Sequence, residues 1–352
     1  MPEISDAVLA ALIGLATGVV LGLASRLGRF CSLAAIEDAT YGGNANRLRM
    51  WGIALGVAIL GSHLLIAMGL LEPAGIFYLS NWSVTGAVAG GLLFGIGMAL
   101  AGNCGFGALA RIGGGDFRSG VVVVTMGIMA YATISGPLAR LRIALFPSTS
   151  LPDGEAAGIA LSLAEATGLP ALALAALVAL VLMVLAIRGT DWTEFRRYAI
   201  WAAIVGATIS ATWGLMQWVH FRSFEAIPVT DHTFAAPIGE TILFVMTSTG
   251  SGLSFGVGSV VGVVAGAFLG SSRLGHFRWE ACDDARELGR QLAGAAMMGV
   301  GAVLAGGCSV GQGLSAFSVL SFSAPVTLLA IYAGARIGLH FLIYGQGFRN
   351  AD

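Results

Sequence analysis

Nine long apolar runs constrain this 352-residue chain more than anything else in it. They lie at about residues 7–24, 48–71, 83–103, 119–139, 168–187, 198–218, 252–270, 286–306 and 324–345. Each is close to the ~20 residues that a helix needs to cross a hydrocarbon core. In lipid a spanning segment must satisfy its own backbone hydrogen bonds, so the runs are expected as helices. Composition agrees: 57% of residues are hydrophobic and 11% charged, against about 25% charged in an ordinary soluble protein. The expected fold class is therefore all-α, a polytopic membrane protein. Fifty-two glycines fit helices that pack closely through small residues. The opening MPEISD carries no positive charge ahead of its apolar run, so that run is expected to stay as a span and not to act as a cleaved signal.

Four shorter apolar pieces lie between the runs: Cys31 to Thr40, Gly105 to Ile112, Gly239 to Thr249 and Ser309 to Leu320. They are too short to cross and too apolar for ordinary loops. They are expected as re-entrant or interfacial half-helices, shielded by protein or a wet cavity.

Two of these pieces follow a repeated peptide. FGIGMALAGNCGFG, Phe94 to Gly107, recurs as MGVGAVLAGGCSVG, Met298 to Gly311, with seven of fourteen positions identical. The offset of 204 residues maps spans two, three and four onto spans seven, eight and nine. Five spans separate equivalent elements. Because five is odd, the copies are expected to insert in opposite senses, the inverted-repeat plan of many transporters. The expected division is a first membrane repeat over 1–145, a linker with one span over 146–197, and a second, inverted repeat over 198–352. One similarity resists this register: SRLGRF, from Ser25, resembles SRLGHF, from Ser272, at an offset of 247. The cysteine-centred register is longer and takes precedence.

There is no lysine, so arginine alone sets orientation. With the N-terminus outside, fourteen arginines fall on inner segments and three, Arg140, Arg142 and Arg222, on outer ones. This asymmetry predicts an extracytoplasmic N-terminus and a cytoplasmic C-terminus. Arg336 lies within the ninth run.

The repeat also selects the residues expected to carry function. Cys104 follows the inner end of span three and Cys308 the outer end of span eight. If both Gly-rich breaks fold back, the thiols approach the midplane from opposite faces. Gly102 and Gly306 occupy identical places and are expected to permit close backbone approach. Asn103 is placed to cap the half-helix that follows, and Ser309 is beside the second thiol. Helix N-termini attract anions, and a cysteine there adds a soft sulfur with a weak S–H donor. That combination suits a small anion containing sulfur. Cys31, in GRFCSLAAIED, belongs with the pair less firmly, and Cys282 reads as an ordinary loop residue. Secondary candidates are Arg336 and His340, on one helical face at i, i+4 and expected either to face the bundle interior or to snorkel to the interface, and Glu240, the nearest carboxylate to a mid-span proton site.

Nothing in the chain reads as a metal, cofactor or nucleic-acid site. Its cysteines form no CxxC or zinc-like spacing, and there is no P-loop for ATP. A membrane thiol oxidoreductase is the competing class; it needs a resolving thiol pair, which is not evident in the spacing.

GNCGFG and GGCSVGQG, with GRFC after the first span, resemble the YeeE/YedE family of sulfur-compound transporters over essentially the whole chain. The resemblance implies nine spans and four short helices in two inverted halves within the inner (plasma) membrane. It also implies a narrow path lined by Cys31, Cys104 and Cys308, which passes thiosulfate by successive hydrogen bonds. The expected partners are that anion, or a related sulfur or selenium species, membrane lipid, and a small cytosolic TusA-like sulfur carrier protein.

Overall fold

The computed structural model describes residues 5–147, 149–150, 156–223, 227–250, 252–280 and 284–345. Cys282 lies outside them. The first part holds α1 (Asp6–Leu27), α2 (Ser32–Thr40), α3 (Asn46–Ala67), α4 (Phe77–Ser80), α5 (Val84–Ala101), α6 (Gly105–Gly113), α7 (Phe117–Ile134) and α8 (Ala139–Leu145). It continues with α9 (Ile159–Thr167), α10 (Ala171–Ile187), α11 (Trp192–Arg222), α12 (Ala235–Thr247), α13 (Phe255–Arg273), α14 (Ala285–Leu304) and α15 (Ser323–Tyr344). Between α14 and α15 a further helical segment, 309–318, has a π-helical middle at Gly311–Ala316. The sole sheet among the described residues pairs two two-residue strands, Asn81 with Ser150 and Trp82 with Thr149.

Local chemistry explains where the long helices start. Ser83, Asp116, Asp191, Ser254 and Asp284 each precede a helix and accept a backbone N–H of its first turn. These caps satisfy donors that a helix start otherwise leaves orphaned. Seven segments, carried by α1, α3, α5, α7, α11, α13 and α15, are long and apolar enough to cross a membrane. The other two expected spans fall short of that measure for visible reasons. Helix α10 has 17 residues. Helix α14 opens with Arg286, Glu287 and Arg290, which dilute its apolar stretch.

Small residues let the bundle close. Helices α1 and α13 run parallel in direct backbone contact: a Cβ on Gly18 would lie 2.6 Å from the Ser259 carbonyl oxygen, and one on Gly262 2.4 Å from that of Leu15. The same crossing continues from Gly14 beside Phe255 to Gly266 beside Val19. No side chain fits there, so dispersion and backbone proximity hold the pair, as is usual where lipid removes the hydrophobic drive. The resemblance between SRLGRF and SRLGHF now has a physical reason: these peptides end two parallel, packed helices at one level of the bundle.

The strongest helix contacts come in matching sets. Helix α1 packs on α13, and α11 on α3; α5 packs on α15, and α14 on α7. At the centre α5 and α14 cross antiparallel, with Gly90 beside Gly301 and Gly97 beside Gly294. The short helices α2, α6 and α12 and segment 309–318 lie within this frame, and the third starts at Ala235, four residues before its expected position.

Candidate functional site

Each copy of the repeated peptide ends its long helix on a left-handed glycine, Gly102 at φ +74° and Gly306 at φ +71°. Glycine adopts this conformation without the Cβ clash that strains other residues. The expectation of crowding at these glycines is corrected. A Cβ at Gly102 would meet nothing within 4 Å, and one at Gly306 only the Gln312 side-chain nitrogen at 3.3 Å. The requirement is for backbone conformation, not for room.

The cysteine then takes the N-cap. Cys104 Sγ accepts the Gly107 N–H at 3.4 Å, and Cys308 Sγ accepts the Gly311 N–H at 3.5 Å. The capping residue of α6 is therefore Cys104 itself and not Asn103. Asn103 is buried instead, and its side-chain oxygen has no hydrogen-bond partner. Both thiols are 1% exposed, and Cys31, at the N-cap of α2, is half-buried; all three are free.

Ser32, the first residue of α2, joins the two breaks. Its hydroxyl donates to Ser309 Oγ at 3.0 Å and contacts Cys104 Sγ at 3.5 Å. A hydroxyl has one hydrogen. With that hydrogen on Ser309, the Cys104 S–H supplies the other contact. Across the break, Cys308 Sγ also accepts the Phe234 N–H at 3.4 Å and lies 3.7 Å from Thr233 Oγ1. Phe234 is the N-cap of α12. The N-termini of all four short helices thus meet around two buried thiols and two serines. The partial positive ends of four helices point at one small volume, an arrangement suited to an anion.

Two cavities flank this cluster. One, of about 330 Å³, is lined by Arg26, Arg29, Cys31, Arg47, Asn103 and Arg111, among others. The other, of about 400 Å³, is lined by Tyr78, Trp213, Asp231, Thr233, Gly306 and Gly307, among others. The first is at the C-terminal end of α5 and the second at the C-terminal end of α14. Because α5 and α14 are antiparallel, the cavities open toward opposite ends of the bundle. In the arginine cavity much of the charge is already engaged. Arg26 donates to the Ala110 and Arg111 carbonyls at 3.1 and 3.3 Å, Arg111 to the Gly102 carbonyl at 3.2 Å, and Arg47 pairs with Asp38 at 3.3 Å. Arg26 and Arg111 satisfy carbonyls that the ends of α6 and α5 leave open.

The secondary candidates lie elsewhere. Arg336 and His340 do not face the interior: they sit on the exposed side of α15, lining a separate shallow hollow with Tyr41 and Tyr344. Arg336 lies over the Tyr332 ring at 5.9 Å, and His340 lies against the Tyr344 ring at 4.6 Å with the planes tilted by 42°. The adjacent i, i+4 positions fall outward because Gly334, Ala335 and Gly338 occupy the face that packs on α5. Glu240 sits against Gly256 in the first turn of α13 and takes no part in the thiol cluster.

Sequence reasoning missed Ser32, Thr233, Asp231 and His232. For Ser32 a signal existed: Cys-Ser occurs at 31–32 as it does at 308–309. The other three lie in the stretch leading to α12, which carries no motif.

The chain is 26% identical over 354 residues to the thiosulfate transporter TsuA of Escherichia coli K12, covering 96% of each protein. It is 25% identical over 323 residues to the thiosulfate transporter TsuA of Spirochaeta thermophila, covering 88% of this chain and 92% of that one. The family model described as sulphur transport matches residues 27–337, from the last residue of α1 into α15. The multi-pass bundle with a cysteine at each Gly-rich break therefore belongs to the sulphur-transport family, a family of membrane transporters and not of enzymes.

Proposed function

We propose that this chain takes up thiosulfate, or a closely related small sulfur-containing anion, across the plasma membrane through the cysteine cluster. The observation that carries the reading is the meeting of four short-helix N-termini at Cys104, Cys308, Ser32 and Ser309 between two oppositely directed cavities. The relatives' names support the choice of substrate. The matched helix pairs support two membrane repeats over 1–145 and 198–352, inverted about the α5–α14 crossing, with 146–197 as linker. Counting α10 and α14 as spans gives nine and hence termini on opposite sides, and the arginine asymmetry supports an outside N-terminus and a cytoplasmic C-terminus. The arginine cavity then faces inward, and the anion meets Cys308, Cys104 and Cys31 in that order. Gly102 and Gly306 hold the breaks open, while Asn103 and Ser309 add polar contacts to the path.

The cluster suits this cargo physically. A thiol is a weak donor, so each contact holds a dianion without trapping it, and the Cys104 S–H can turn from Ser32 to the passing anion. A small cytosolic TusA-like sulfur carrier protein is the partner that would receive the anion on this inward side.

Uptake into proteoliposomes measured with a panel of labelled sulfur and selenium anions tests the reading. Thiosulfate is expected to be taken up fastest and to compete with its nearest analogues. Preference for another sulfur or selenium species would change the substrate while keeping the path. Oxidation of a dithiol with no uptake would favour the thiol oxidoreductase.

A further inference from the structure

The cavity on the Cys308 side contains an acid. Asp231 is 3% exposed, lines that cavity, and has no hydrogen-bond partner on either carboxylate oxygen. It is two residues from Thr233, which touches Cys308. An ionised carboxylate so buried would require a cation or several donors. The His232 N–H and the Ser315 hydroxyl both bear on the carboxylate, and neither carries a counter-charge. The Ser315 hydroxyl donates to the His232 carbonyl at 2.8 Å. Arg142, the cation of the same cavity, donates to the Thr133 and Ile134 carbonyls at 3.1 and 3.5 Å. Tyr78 is the other titratable group lining the cavity with Arg142 and Asp231, and it is neutral over the working range of pH. His232, on the same stretch, is fully buried and held at Nδ1 by Ser259 Oγ at 2.7 Å, with no counter-ion for an imidazolium. A negative charge at Asp231 would also repel any anion entering the cavity.

We propose that Asp231 serves as a neutral carboxylic acid that donates a hydrogen bond to the anion in this cavity, making affinity depend on the pH of the solution that the cavity faces. The inference rests on the proposed function and extends it from the thiols to the mouth of the path. The proton comes from that solution and stays on the carboxyl oxygen while the anion is bound. The sign follows directly: below the titration of Asp231 the donor is present and affinity is high; above it the donor is replaced by a repelling charge.

The test is thiosulfate uptake by proteoliposomes with the internal pH clamped and the external pH varied. For the unaltered protein, KM is expected to rise about tenfold per unit once pH passes the titration of the carboxyl, following the falling protonated fraction. Asp231→Asn keeps a neutral donor and should hold a low KM at every pH; Asp231→Ala should hold a high one. An unaltered protein with a flat KM, or an Asp231→Asn protein that keeps the original pH profile, overturns the inference. Infrared difference spectra of the same membranes separate this failure from that of the proposed function. A protonated-carboxyl band at neutral pH that vanishes in Asp231→Asn upholds the neutral acid even if no anion of the panel is taken up. Absence of the band overturns it even if thiosulfate is taken up.

Discussion

The two Gly-Cys breaks begin from nearly the same peptide and end in different surroundings. Both turn on a left-handed glycine, and both cap the next helix with a thiol. Around Cys104 the sulfur accepts one backbone N–H, contacts Ser32 and looks toward a cavity rich in arginine. Around Cys308 it accepts two backbone N–H groups, contacts Thr233 and looks toward a cavity with a buried acid. The helix after Cys104 is regular, whereas that after Cys308 widens into a π-turn braced by Gln312, which binds the Ala305 carbonyl at 2.8 Å and Ser323 at 3.1 Å. The repeat sets the turn and the cap. What approaches the cap from elsewhere sets the character of each side.

The largest effect should come from the thiols. Cys104→Ala and Cys308→Ala each remove one donor, worth about 0.5–1.5 kcal/mol, or roughly tenfold in rate at the upper end. Labelled uptake should fall accordingly, and the double variant should be nearly inactive. Cys308→Ala should also lower the melting temperature more than Cys104→Ala, because it strands two buried N–H groups at about 1–3 kcal/mol each. A double variant that transports at the unaltered rate would leave both cysteines as packing residues; equal melting temperatures for the single variants would erase the contrast between the breaks.

Next come the glycines. Alanine at either position must adopt a left-handed backbone, which costs about 1–2 kcal/mol. Gly306→Ala must in addition push the Gln312 side-chain nitrogen, 3.3 Å from the new Cβ, slightly aside, while Gly102→Ala has open space. Thermal melts should rank Gly306→Ala below Gly102→Ala. The reverse order would mean that the Gln312 brace is soft.

A smaller effect is expected at the serine that joins the breaks. Ser32→Ala removes two contacts and should lower uptake several-fold, and combining it with Ser309→Ala should be less than additive, since each change removes the shared bond. Additive effects would show that the breaks act independently. The smallest effect is Cys282→Ala, expected to leave uptake unchanged; a loss there would show that a fourth thiol belongs to the path.

Much of this arrangement is legible along the chain because its causes are local. A bilayer leaves an apolar run few alternatives to a helix, so α1, α3, α5, α7, α11, α13 and α15 appear where the runs lie. Cys104 and Cys308 are legible because a left-handed turn and an N-cap are set within four residues. For Arg336 and His340 the i, i+4 spacing left two placements open, because it shows that they share a face without showing which face packs. The small residues Gly334, Ala335 and Gly338 decide that, through contact with α5.

By itself, then, the amino-acid order determined a helical membrane bundle, two glycine breaks and the thiols that cap them. Only the tertiary structure brought Ser32 from residue 32 to Ser309, the Phe234 N–H to Cys308, and Asp231 into a cavity whose arginine, Arg142, binds backbone carbonyls. The reason is range. Conformation at a break follows from sterics and hydrogen bonds a few residues apart, whereas the polarity around a buried sulfur is the sum of groups from distant segments, placed by how closely glycine faces allow their helices to pack.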